Sequence, residues 1–252
     1  MAQFPMLVQG ESGSPTLVFL PYFGGSARSY SALWPLLPAS WNLRAYTLEH
    51  VGVKDDQYSL PVAYEQIARA IRSDVSGPFH LVGHSMGGKI ALGAASLGLD
   101  GLESVVLLAP SPPSPEPIPE ANRTAMLERH GTREGALETV RLASARPLAP
   151  ELMELSVEAD LATNENDWRN WLEIGSRVDS SDILSHIRVP VRILLGEKDG
   201  GMTPELMQQT IIEPLRSLGA PETEMQVVEG SGHLLPLEAP EEVAHWLRAW
   251  IA

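Results

Sequence analysis

The stretch His80–Ala95, HLVGHSMGGKIALGAA, passes from an apolar run into a helical pattern with no polar loop between them. Phe79–Val82 (FHLV) has the near-continuous hydrophobicity of a strand covered on both faces. Lys89–Leu97 carries apolar residues at helical spacing. Between the two, Ser85 stands between Gly83 and Gly87, with Gly88 next. So sharp a corner forces main-chain atoms together, and flanking glycines remove the Cβ atoms that would clash. The residue at the apex is lifted above the sheet, and the N–H after it, that of Met86, opens a helix whose dipole favours negative charge. A hydroxyl there is free to attack while an oxyanion is held beside it. That is the mechanical content of Gly-x-Ser-x-Gly between a strand and a helix.

Outward from this corner, short β-branched and apolar runs recur: Thr16–Leu20, Leu43–Leu48, Ser104–Leu108, Val191–Leu195 and Met225–Val228. Helical spacing separates them in Val62–Val75, Pro204–Leu218 and Glu241–Ile251. Strand–helix alternation of this kind predicts an α/β fold with a mostly parallel, doubly wound sheet. The alternation breaks after SVVLLA at PSPPSPEPIP, where six of the ten residues from Pro110 to Pro119 are proline. No strand continues through such a run. From about Ala121 to Ile187 the pattern is helical only, and strand signals resume at Val189. Residues 1–110 and 188–252 are therefore expected to form the core, and residues 111–187 a helical cap inserted over the sheet.

A serine needs a base to act as a nucleophile at neutral pH, and the base needs an orienting acid. Open α/β sheets build their sites at the carboxyl ends of strands. VRILLGEKDGG ends one strand with Asp199 in a glycine-bounded loop, and MQVVEGSGHLLP ends the last with His233. Glu197 is a rival acid two residues from Asp199. The order Ser85, Asp199, His233 is the serine–acid–histidine order of one known layout.

On GHSMGG, GEKD and GSGH the chain resembles the α/β-hydrolase-fold serine hydrolases that carry a helical cap. The resemblance implies that Ser85 is the nucleophile, Asp199 the acid and His233 the base, with the N–H groups of Met86 and Phe23 forming the oxyanion hole. It implies no metal and no organic cofactor. The early loop departs from the common pattern, with Pro21-Tyr22 where many relatives have His-Gly. PYFGGSA is also similar to a loop of type II thioesterases, which act with carrier proteins. The expected activity is cleavage of a carboxylic ester or related acyl bond in a small-molecule substrate. An acyl thioesterase, a carbon–carbon bond hydrolase and a cofactor-free haloperoxidase would use the same triad, and a non-catalytic binding protein is the alternative from another class.

Several residues have two readings. Tyr22 either binds substrate or lines its loop, and His84 either shapes the pocket or packs beneath the turn. Trp168 and Trp171, three apart in DWRNW, share one face of a cap helix, either within the cap core or on a pocket wall. His80 and His84 have zinc-like spacing but lie on a strand. The formal charge of −14 argues against nucleic acid or an anionic membrane as partner. No segment reaches the ~18 apolar residues of a membrane span, and the N-terminal stretch lacks the basic-then-apolar pattern of a leader. The absence of cysteine excludes disulfides and thiol nucleophiles and suits a reducing, cytoplasmic setting. The oligomeric state is left open.

Overall fold

The computed structural model describes residues 4–10 and 15–251, so the outermost ends of the expected core segments, residues 1–3 and 252, lie outside it. The strands are β1 (Met6–Gln9), β2 (Thr16–Leu20), β3 (Asn42–Tyr46), β4 (Val53–Lys54), β5 (Gln57–Tyr58), β6 (Phe79–His84), β7 (Leu102–Leu108), β8 (Val191–Gly196) and β9 (Thr223–Val228). Seven of them form one sheet in the order β1-β3-β2-β6-β7-β8-β9. Within that sheet, among the described residues, only the β1–β3 pairing is antiparallel; β2, β3, β6, β7, β8 and β9 run parallel. The central strands are apolar because both faces are covered: every residue of β2 and β6 is buried. Each fully buried Leu, Val or Phe there contributes roughly 1.5–3 kcal/mol relative to exposure.

Two features went unseen in the sequence. β1 is an edge strand whose Leu7 and Val8 are 43% and 50% exposed, and its apolar run, Met6-Leu7-Val8, is only three residues long. β4 and β5 form a separate hairpin whose two-residue turn, Asp55-Asp56, has φ of 52° and 59°. Hairpin turns of this kind are usually signalled by glycine or asparagine, and here two aspartates take the left-handed conformation instead.

The core helices are α1 (Leu60–Asp74) and α2 (Met86–Ser96), which pack together. Between β7 and β8 come α3 (Glu120–Arg129), α4 (Arg133–Ala143), α5 (Pro150–Ala162) and α6 (Glu165–Arg169), with short turns of helix up to His186. After β8 the helix expected over Pro204–Leu218 consists of α7 (Pro204–Met207), a widened π segment Gln208–Ile212, and α8 (Glu213–Ser217). Pro214 has no N–H to donate to the preceding turn, which accounts for the local widening. The chain closes with α9 (Leu235–Glu238) and α10 (Pro240–Ile251). Among the described residues no helix is long and apolar enough to cross a membrane.

The two ends of the helical stretch between β7 and β8 are fastened together beneath it. Ser180 N–H donates to Pro113 O at 2.9 Å and Glu116 N–H to Ser176 O at 2.8 Å. The buried Lys89 ammonium of α2 donates to Ser114 O at 3.1 Å and Val178 O at 2.7 Å. The proline-rich run is thus an ordered strap, its missing N–H groups leaving few backbone donors to satisfy.

Candidate active site

β6 ends at His84 and α2 begins at Met86, leaving Ser85 alone in the corner with φ 53° and ψ −119°. A side-chain-bearing residue at positive φ carries strain of order 1–3 kcal/mol, sustained only where neighbours hold it. Here Ser85 N–H donates to Leu108 O at 3.0 Å, and Ser85 O accepts from Gly88 at 2.8 Å and Ser111 at 3.0 Å. The glycines are required by contact: a Cβ on Gly83 would strike Gly87 O, and one on Gly87 would strike Leu20 O.

The structure brings Ser85, His233 and Asp199 into one chain of hydrogen bonds. His233 Nε2 lies 2.8 Å from Ser85 Oγ, and His233 Nδ1 lies 2.6 Å from Asp199 Oδ2. Asp199 accepts only, so Nδ1 carries the imidazole proton and Nε2 is left to accept from the serine. Asp199 Oδ1 takes the N–H groups of Gly201 at 2.9 Å and Met202 at 3.0 Å. Burial opposes ionisation of Asp199, but the His233 charge and hydrogen bond, with these two N–H groups, outweigh it and hold the carboxyl at about 2. Burial likewise disfavours the His233 imidazolium, yet the Asp199 charge and hydrogen bond, with smaller help from the Glu116 and Glu238 charges, outweigh it and raise its pKa above the ordinary 6.5. Glu197 takes no part: its half-exposed carboxylate accepts from Gly230 N–H at 2.9 Å.

The His233 loop is held from two sides. His84 is fully buried, and its Nε2–H donates to His233 O at 2.7 Å. Burial, with His233 nearby, pushes the His84 pKa down to about 3, so it is a neutral prop beneath the loop. On the other side Glu238 accepts N–H groups from Gly232 and Leu234 in the loop and from Ala145 and Arg146 after α4, all within 2.7–3.0 Å. His80 bonds Ser104 Oγ at 2.8 Å and lies 3.3 Å from Glu103, whereas His84 bonds His233 O. The zinc-like spacing therefore has partners of another kind.

Above Ser85 opens a cavity of about 520 Å³, within the roughly 300–1,000 Å³ usual for ligand sites. Ser85, His233 and Asp199 border it, as do Tyr22, Phe23, Trp171 and Leu172. Its outer walls come from α3, α4 and α5, through Met126, Val140 and Asp160. Burial raises the Asp160 carboxyl to about 6. Phe23 and Met86 also border a smaller recess beside the corner. Tyr22 has a buried, unpartnered hydroxyl and meets the His84 ring at 5.1 Å.

Of the two readings open for the tryptophans, Trp171 takes the pocket wall, and the pocket-wall reading of Trp168 is corrected. Trp168 does not reach this cavity; its ring is stacked on His130 at 4.2 Å and meets Phe23 at 4.1 Å with the rings tilted by 35°, and its Nε1–H donates to Met126 O. α6 stops at Arg169 and Trp171 falls in a widened π segment, Asn170–Ile174, so three-residue spacing no longer means a shared face. Sequence reasoning also passed over Glu116 and Glu238. Glu116 left a trace as the only charged residue among the prolines of Pro110–Pro119, whereas Glu238 sits among ordinary surface-type glutamates and left none.

A parallel sheet with one antiparallel edge, flanking helices and a strained serine elbow define the α/β-hydrolase class. The model of the alpha/beta hydrolase family matches residues 17–246, and the chain belongs to that family. Among its relatives, a pimeloyl-[acyl-carrier protein] methyl ester esterase of Neisseria meningitidis is 25% identical over 242 residues, spanning 91% of this chain and 74% of that protein. An sn-1-specific diacylglycerol lipase of Mus musculus is 24% identical, spanning 98% of this chain and 84% of that protein. Of solved structures, an esterase from Exiguobacterium antarcticum superposes with a TM-score of 0.81 at 17% identity, covering 98% of this chain and 95% of that one.

Proposed function

We propose that the protein is a serine hydrolase that cleaves a carboxylic ester through an acyl-enzyme on Ser85. The observation that carries this reading is the continuous Ser85–His233–Asp199 hydrogen-bond chain at the floor of an apolar-walled cavity. The names of the related esterase and lipase support it. Ser85 Oγ attacks the ester carbonyl as its proton passes to His233 Nε2. The N–H groups of Met86 and Phe23 hold the oxyanion, with the α2 N-terminus adding favourable potential. Collapse breaks the carbon–oxygen bond, and the alcohol leaves with the His233 proton. Water, giving a proton to His233, then releases the acid and restores Ser85. Residues 111–187 act in this reading as a cap that sets substrate size, while the triad sets the chemistry.

Hydrolysis of a series of p-nitrophenyl acyl esters, with the matching acyl thioesters alongside, tests the reading. Ester turnover exceeding thioester turnover supports it, and turnover of thioesters alone would replace it with the thioesterase alternative. The pH profile supplies a further expected result. Only neutral imidazole acts as base, and the His233 pKa is raised, so kcat/KM should climb with pH through an inflection above the ordinary 6.5. A pH–rate profile lacking that inflection would remove His233 as base.

The tryptophans should separate into two phenotypes. Trp171 borders the cavity, so Trp171→Ala should shift the preferred acyl length, mainly through KM. Trp168 is 1% exposed and packed on both faces, so Trp168→Ala should cost about 3–5 kcal/mol in stability and keep the wild-type preference. Denaturant melts and chain-length profiles of both variants check this.

A further inference from the structure

Glu116 is a carboxyl group to which the hydrolytic steps assign no contact with substrate, although its charge helps to raise the His233 pKa. It borders the same cavity as Ser85 and is 9% exposed. Its Oε1 is buried without a hydrogen-bond partner. Of the cations that act on it, Lys89 donates to the carbonyls of Ser114 and Val178, and Arg123 to Leu172 O and Ser176 Oγ, rather than to this carboxylate. Ser111 is close enough to favour the charged form, but its hydroxyl is also without a well-aligned partner. The backbone is not free to carry the group elsewhere. Pro115 and Pro117 flank it, and its N–H is tied to Ser176 O at 2.8 Å.

A carboxyl group left unsatisfied in a low-dielectric wall costs free energy, and that cost is recovered when a ligand supplies the missing donor. The electrostatics disfavour an anionic substrate group here: Glu116, Asp160 and Asp199 all border the cavity, while Arg129, the arginine on its wall, is 3.3 Å from Glu138. Desolvation raises the Glu116 pKa, which a bound donor would oppose.

We infer that Glu116 is a specificity-determining residue whose carboxyl group binds a hydrogen-bond donor on the substrate, an ammonium or a hydroxyl, within the same cavity as the carbonyl that Ser85 attacks. This rests on the ester-hydrolase reading above. Sites built around a buried acceptor reject analogues that lack the donor, because the acceptor is then left unpaired. Plain alkyl esters should therefore be the poorer substrates.

The test is a matched ester series with alkyl, methoxyalkyl, hydroxyalkyl and aminoalkyl groups, placed in turn on the acyl side and on the alcohol side. Wild-type kcat/KM should favour hydroxyl or ammonium members over their alkyl and methoxy partners by about tenfold or more on one side. Each protein is read as a ratio between partners, so changes in its general activity cancel. In Glu116→Leu the ratio should fall to near one. Glu116→Gln, which keeps the shape and the acceptor but loses the charge, should retain a hydroxyl preference and lose most of an ammonium preference. The difference between the two variants tells which donor the site takes. A wild type without donor preference on either side, methoxy esters as good as hydroxyl esters, or a preference that survives in Glu116→Leu would each overturn the inference. The wild-type comparison decides even where a variant fails to fold. Turnover of the plain esters alone would leave the hydrolase reading standing, whereas inactivity towards the whole series would overturn both.

Discussion

Alanine at Ser85 is expected to lower kcat on any ester the wild type cleaves by about 10⁴- to 10⁶-fold, with the fold intact. The substitution removes one oxygen and keeps the Cβ, so the contacts that hold the elbow, from Leu108, Gly88 and Ser111, are unchanged. What disappears is the atom that forms the acyl-enzyme. The residual rate would come from the oxyanion donors and from binding alone. His233→Ala should fall to a similar level, because Ser85 without a base is nearly as inert as no serine. The double variant should then be little worse than either single one, since the groups act as a unit. Thermal melts and single-turnover assays of the three proteins check this. Wild-type turnover by Ser85→Ala would overturn the mechanism, and additive losses would show that Ser85 and His233 do not work together. A fluorophosphonate probe should label the wild type at Ser85 and leave Ser85→Ala unmarked.

The elbow was legible because its constraint is local. Only a backbone too crowded for a Cβ asks for glycine at Gly83 and Gly87, and both positions are read directly from the sequence. Ser85, Asp199 and His233 were legible together because each follows a strand of apolar and β-branched residues, and parallel strands deliver their carboxyl ends to one edge. Legibility ends where a residue's role depends on what another segment does. Trp168 and Trp171 look alike at three-residue spacing, yet a π turn sends one to the cavity and leaves the other packed between His130 and Phe23. Glu116 reads as a solvated loop acid until the strap formed by residues 113–116 and 176–180 buries it. Glu238 gathers its four N–H donors from two segments about ninety residues apart in sequence, as its separations of 93 and 92 from Ala145 and Arg146 show. β1 is hidden for another reason: its apolar run of three residues, Met6-Leu7-Val8, is short, and pairing with β3 rather than burial makes it a strand.

Asparagine at Asp199 is the second substitution with a large expected effect, about 10⁴-fold in kcat, while Glu197→Gln should change kcat by less than about threefold. The hydrogen bonds around Asp199 give the reason. Its Oδ1 accepts from Gly201 and Met202, so an asparagine keeps its carbonyl oxygen there and turns its amide NH₂ towards His233. His233 Nδ1 must then accept rather than donate, and the imidazole proton moves to Nε2. Nε2 faces Ser85 Oγ at 2.8 Å and would now donate to the serine it should deprotonate. The site keeps its shape and loses its chemistry. The same change removes the negative charge that raises the His233 pKa, so the remaining activity should show its inflection at lower pH than the wild type. Glu197 offers no such lever, because its carboxylate is engaged with Gly230 N–H and Lys198 at the surface. Kinetics of the two variants on one ester, with their pH profiles, separate the acids. A larger loss at Glu197→Gln than at Asp199→Asn would move the orienting role away from Asp199, and an unshifted inflection in Asp199→Asn would show that its charge does not reach His233.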